Sequence, residues 1–127
     1  MGEVSTRTFD ASGPAVLADV RRFVESAATP YLAAGLVQDL ELAATEACAN
    51  SIRHSGTAEI RVSISTLDGC IEIVVADDGV YRMTLPVIDG EAHRGMYLMA
   101  AMVDDFSLRR GTTGGSGTTV RLVKCSV

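Results

Sequence analysis

Glu46, Asn50 and His54 recur at four-residue intervals inside the otherwise small and apolar run Glu41-Leu42-Ala43-Ala44-Thr45-Glu46-Ala47-Cys48-Ala49-Asn50-Ser51-Ile52-Arg53-His54-Ser55. In a helix each four-residue step turns only about 40° round the axis, so the three side chains form one slowly drifting stripe. A carboxylate and a carboxamide one turn apart can do two jobs. The carboxylate takes a proton from a nucleophile, and the carboxamide oxygen ligates a hard cation such as Mg²⁺. The same spacing also occurs on solvated helix faces that carry no chemistry, so the stripe needs support from elsewhere. A second carboxylate is singled out by parity. Ile71, Ile73 and Val75 alternate along a strand pattern and Asp77 continues the series, which turns it towards the helices rather than solvent. Asp77-Asp78-Gly79 is equally ordinary turn chemistry, and these residues alone leave both readings open. Arg94-Gly95-Met96 opens a nearly all-apolar stretch to Val103. A helix starting there could hold phosphate on its amides, although an apolar helix after glycine is more often simply buried.

Positioning these groups requires a strand and helix order that the patterns supply. Val4 to Phe9 alternates weakly and ends at Asp10-Ala11-Ser12-Gly13-Pro14, where Ser12 or Gly13 can cap a helix and Pro14 suits its first position. Val16, Leu17, Val20, Phe23, Val24 and Ala27 recur at helical spacing, and that helix ends before Pro30. The helix carrying the stripe runs from about Leu36 to His54, with Ser55-Gly56 as its stop. Ile60, Val62 and Ile64 mark one strand, and Leu67-Asp68-Gly69 turns it into the strand leading to Asp77. Val80 to Arg94 has no clear period and reads as a mobile connection of the length used for lids. Strand Asp105 to Arg110, the flexible turn Gly111 to Gly117 and strand Thr118 to Lys124 form a closing hairpin.

Composition narrows the function classes. A chain of 127 residues with 47% hydrophobic and 21% charged residues suits one globular domain over 1–127. A net charge of −5 and the absence of Trp argue against direct nucleic-acid binding and for a protein partner. Cys48, Cys70 and Cys125 are odd in number and far apart, so buried free thiols in a reducing compartment are expected, with neither a disulfide framework nor a zinc site. No signal core or membrane-length apolar run of about 18 residues occurs, which points to a soluble cytoplasmic protein with no membrane partner. The glycine turn lacks the Gly-Lys-Ser/Thr ending of a P-loop, and no Gly-x-Ser-x-Gly elbow or His-based triad is present.

Taken together, Glu46-x-x-x-Asn50, Asp77-x-Gly79, Arg94-Gly95-Met96-x-Leu98-Met99 and Gly117-Thr118-Thr119-Val120 form an ordered set. This set resembles the GHKL (Bergerat-fold) ATPase family and, within it, the bacterial anti-sigma-factor serine/threonine kinases. The resemblance covers nearly the whole chain. It implies an α/β (α+β) two-layer sandwich, a mixed, largely antiparallel sheet with helices on one face. It also implies ATP and Mg²⁺ as cofactors, with Glu46 as general base, Asn50 as the Mg²⁺ ligand and Asp77 as acceptor for the adenine amino group. Gly79 would let the base sit against the backbone, and the Arg94-Gly95-Met96 amides with Thr118 would meet the phosphates. His54, at the helix end, is assigned to structure.

The implied activity is phosphorylation of a Ser or Thr on an anti-sigma-factor antagonist, coupled to sequestration of a sigma factor, by a homodimer. Two departures bear on it: Tyr81 and His93 stand where the family pattern has glycine, removing backbone freedom at both ends of the expected lid. The alternative is a regulatory binding module of the same fold that transfers no phosphate.

Overall fold

The computed structural model of the protein describes residues 4–80, 98–110 and 116–126. Strand β1 (Val4–Asp10) leads to helices α1 (Val16–Ala28) and α2 (Ala34–Ser55), followed by β2 (Glu59–Leu67), β3 (Cys70–Val80), β4 (Asp105–Arg110) and β5 (Ser116–Cys125). Residues 98–102 are helical and precede β4. The strands form one sheet in the order β1-β2-β3-β5-β4, and every described pairing is antiparallel.

Alternation builds the buried face. Ile60, Val62 and Ile64 of β2, Ile71, Ile73 and Val75 of β3, and Val120 and Leu122 of β5 are buried against Val20 and Val24 of α1 and Leu40, Ala44, Ala47 and Cys48 of α2. Each fully buried aliphatic side chain of this kind contributes about 1.5–3 kcal/mol. The small residues of α2 let its backbone lie close to β3 and β5. The expected sandwich is therefore present, with helices on one face of the sheet.

Local chemistry sets the boundaries. Leu67 pairs with Cys70 across a two-residue turn in which Asp68 (φ 52°) and Gly69 (φ 80°) are both left-handed, the conformation that Asp-Gly supports in a tight hairpin. Gly56 ends α2 at φ 65°, as its position predicts. The start of α1 differs from expectation: it begins at Val16 without a side-chain cap, because the Ser12 amide and hydroxyl both donate to Asp10 Oδ1 and hold the preceding turn instead. Helix α2 begins two residues before Leu36, and β3 continues through Asp77-Asp78-Gly79 to Val80, with a register shift between Asp77 and Val80.

The cysteine expectation needs correction. Cys70 and Cys125 face each other in the β3–β5 register and form a disulfide, while Cys48 is buried and free. Their separation of 55 residues hides a pairing that only the sheet register creates. Among the described residues no helix is long and apolar enough to cross a membrane. The expected lid from Val80 to Arg94, with Tyr81 and His93, lies outside the described residues beyond Val80, as does most of the glycine turn.

Candidate functional site

Asp77 is the last inward residue of β3 before the register shift and is 6% exposed. Burial of a carboxylate at the end of a strand demands donors, and both oxygens have one. Ser51 Oγ donates to Oδ2 at 2.7 Å, and the Gly79 amide donates to Oδ1 at 3.0 Å. Helix α2 and the strand's own continuation thus fix the carboxylate from two sides. Two oxygens carry about four lone-pair positions, so Asp77 keeps acceptor capacity for a further donor.

Across the ladder Asp77 pairs with Thr118, and directly opposed residues share a face. Thr118 is 3% exposed and its Oγ1 is buried without a hydrogen-bond partner. An orphan hydroxyl beside an incompletely used carboxylate is an arrangement that a polar ligand edge can complete. Gly117 precedes it at φ 87°, and a Cβ there would lie 3.2 Å from the Asp77 carbonyl oxygen, so the backbone approach requires glycine. Cys48 lies near enough for the Asp77 charge to act on its thiol. Burial first, and that charge second, push it up to about 12, which leaves it an unreactive packing group.

The second half of the site is local to α2. Asn50 is 5% exposed, whereas the Glu46 side chain is 24% exposed. Arg53, seven residues after Glu46 and three after Asn50, falls on the same helix face. Its Nη2 donates to Asn50 Oδ1 at 2.8 Å and to Glu46 Oε1 at 3.3 Å. One oxygen of the expected base and the oxygen of the expected metal ligand therefore already face one cationic group. Their hard-oxygen chemistry fits a divalent cation held by one or two protein ligands and completed by phosphate oxygens.

Of the residues singled out in the sequence, the structure joins Asp77, Gly79 and Thr118 into one cluster, and places Glu46 and Asn50 together on α2. Thr118, expected beside the phosphates, lies opposite Asp77. Arg94, Gly95 and Met96 fall outside the described residues, and of His54 only its helical backbone is described. Three participants were missed. Ser51 reads as a packing residue and Gly117 as part of a turn, and neither contact is visible without the sheet. Arg53 was legible from its helical spacing to Glu46 and Asn50.

Comparison with known proteins agrees with this fold. The profile of the histidine kinase-like ATPase domain matches residues 11–124. A "Serine-protein kinase RsbW" from Bacillus licheniformis is 32% identical over 107 residues, and one from Bacillus velezensis is 26% identical over 106 residues. Each alignment takes in 69% of this chain and 64% of the relative, so the chain spans under two thirds of these relatives' length. Among solved structures, the RsbU and RsbW domains of Rv1364c from Mycobacterium tuberculosis superpose with a TM-score of 0.74 at 19% identity, covering 97% of this chain and 32% of that one. The histidine kinase domain of the blue-light-activated kinase EL346 from Erythrobacter litoralis gives 0.61 at 16% identity, covering 88% and 60%. These two likenesses concern the fold.

Proposed function

Since this chain belongs to the histidine kinase-like ATPase domain family, we propose that it is an ATP-dependent serine/threonine protein kinase of the anti-sigma-factor type. In this reading the chain is one ATP-binding domain over 1–127, acts in the cytoplasm as a homodimer, phosphorylates an anti-sigma-factor antagonist and sequesters a sigma factor. The observation that carries it is the buried Asp77 carboxylate, tethered by Gly79 and by Ser51 of the same helix that bears the Glu46–Asn50 pair, and opposite Thr118 with its orphan hydroxyl.

Bound Mg·ATP would supply the transferable phosphoryl group and neutralise its charge. The chain's own residues do the rest. Asp77 accepts from the adenine amino group, Gly79 gives the base room at the backbone, and Thr118 adds a polar partner at the same end. Asn50 would offer its carboxamide oxygen to the metal, and Glu46 would take the proton of the partner's hydroxyl as that hydroxyl oxygen bonds to the γ-phosphorus and ADP leaves. By the family resemblance, the amides of Arg94, Gly95 and Met96, which lie outside the described residues, would meet the phosphates.

Incubating the purified chain with radiolabelled ATP and candidate antagonists tests this directly. Label on a Ser or Thr of the antagonist is expected. A parent protein that labels none of them yet holds a sigma factor tightly is the binding module instead, a reading favoured by Tyr81 and His93 at glycine positions of the family pattern. Under that reading, replacing both with glycine restores nucleotide affinity; no change removes these positions from the argument.

A further inference from the structure

The assignment of Glu46 and Asn50 above leaves Arg53 without a role, yet its guanidinium touches both. We infer that Arg53 is a resident counter-ion that fills the metal's place: it holds Glu46 and Asn50 together, and a divalent cation must displace it before the pair can work. The inference rests on the nucleotide reading of the site.

A single nitrogen, Nη2, reaches the carboxamide oxygen of Asn50 at 2.8 Å and the carboxylate oxygen of Glu46 at 3.3 Å. These are the oxygen assigned to the metal and one of the two oxygens of the assigned base. Asn50 is 5% exposed and so is held by its surroundings, whereas the Arg53 side chain is 51% exposed and is the member free to leave. An ion pair this open to solvent is weak enough to be exchanged. A guanidinium on Asn50 Oδ1 opposes a dication on the same oxygen, because the two positive charges repel at that distance.

Two consequences follow. The metal alone competes poorly for the pair, whereas a metal that arrives with phosphate oxygens brings enough additional ligands to displace the arginine. Arg53 also engages one carboxylate oxygen of Glu46, Oε1, until that exchange occurs, so loading of the metal frees that oxygen as well. Arg53 is thus a positioning residue, acting through Glu46 and Asn50.

The test titrates the full chain, in saturating ADP, with Mn²⁺ as a paramagnetic substitute for Mg²⁺, and reads free Mn²⁺ by electron paramagnetic resonance. Arg53→Met keeps the aliphatic stem and removes the charge, and should bind Mn²⁺ about five-fold more tightly than the parent. Arg53→Lys should fall between them, since it keeps the charge on a shorter side chain. Combining Arg53→Met with Asn50→Ala should give no gain over Asn50→Ala alone. Unchanged or weaker Mn²⁺ binding by Arg53→Met, with ADP binding intact, overturns the inference and leaves the nucleotide site standing. Failure of the parent to bind ADP at all overturns the nucleotide reading, and the inference with it.

Discussion

The two carboxylates of the site are held by opposite means. Asp77 is buried, and its hydrogen-bond partners come from α2 and the continuation of β3, so helix and sheet must pack before the group is placed. Glu46 is partly exposed, and its contact with Arg53 lies within α2. The first arrangement is pre-organised and costly to disturb; the second is local and exchangeable. That division suits a site in which one end recognises a base by fixed geometry while the other changes partners during the reaction.

The comparison can be broken most forcefully at Glu46. Glu46→Gln should lower phosphoryl transfer about 10²–10⁴-fold while ADP affinity moves less than about two-fold, because only the proton acceptor is lost. Transfer at the parental rate in a labelling assay would remove Glu46 as the base. Asp77→Asn addresses the opposite end. Its amide keeps the shape but replaces one charged acceptor with a donor, and ADP binding measured by calorimetry should weaken about 10–100-fold. Equal affinity in mutant and parent would mean that Asp77 does not read the ligand.

Smaller effects separate packing from chemistry. Gly117→Ala forces a side chain into the left-handed region, with its Cβ 3.2 Å from the Asp77 carbonyl. A loss of about 1–2 kcal/mol in denaturant unfolding is expected, together with weaker ADP binding, because the strained strand carries Thr118. Gly35→Ala is the counterpart: it lies in the first turn of α2 with nothing within 4 Å of the added Cβ. It should stabilise the protein by about 0.4–1 kcal/mol with ADP affinity unchanged. A change in ADP affinity there would show that the start of α2 is coupled to the site.

Much of this was legible in the chain itself. Four-residue spacing put Glu46 and Asn50 on one face, strand parity turned Asp77 inward, Asp68-Gly69 specified a hairpin and Gly56 ended α2. Each depends on a fixed local period or on the conformational freedom of one residue, so a short window contains the whole cause. The same local periods would also have exposed Arg53. Tertiary structure alone decided the rest: that Ser51 meets Asp77 across 26 residues, that Thr118 stands opposite Asp77 with its hydroxyl unsatisfied, and that Cys70 is joined to Cys125. In each of these the partner is chosen by strand order and register, which pack distant segments together and leave no period in the sequence between them.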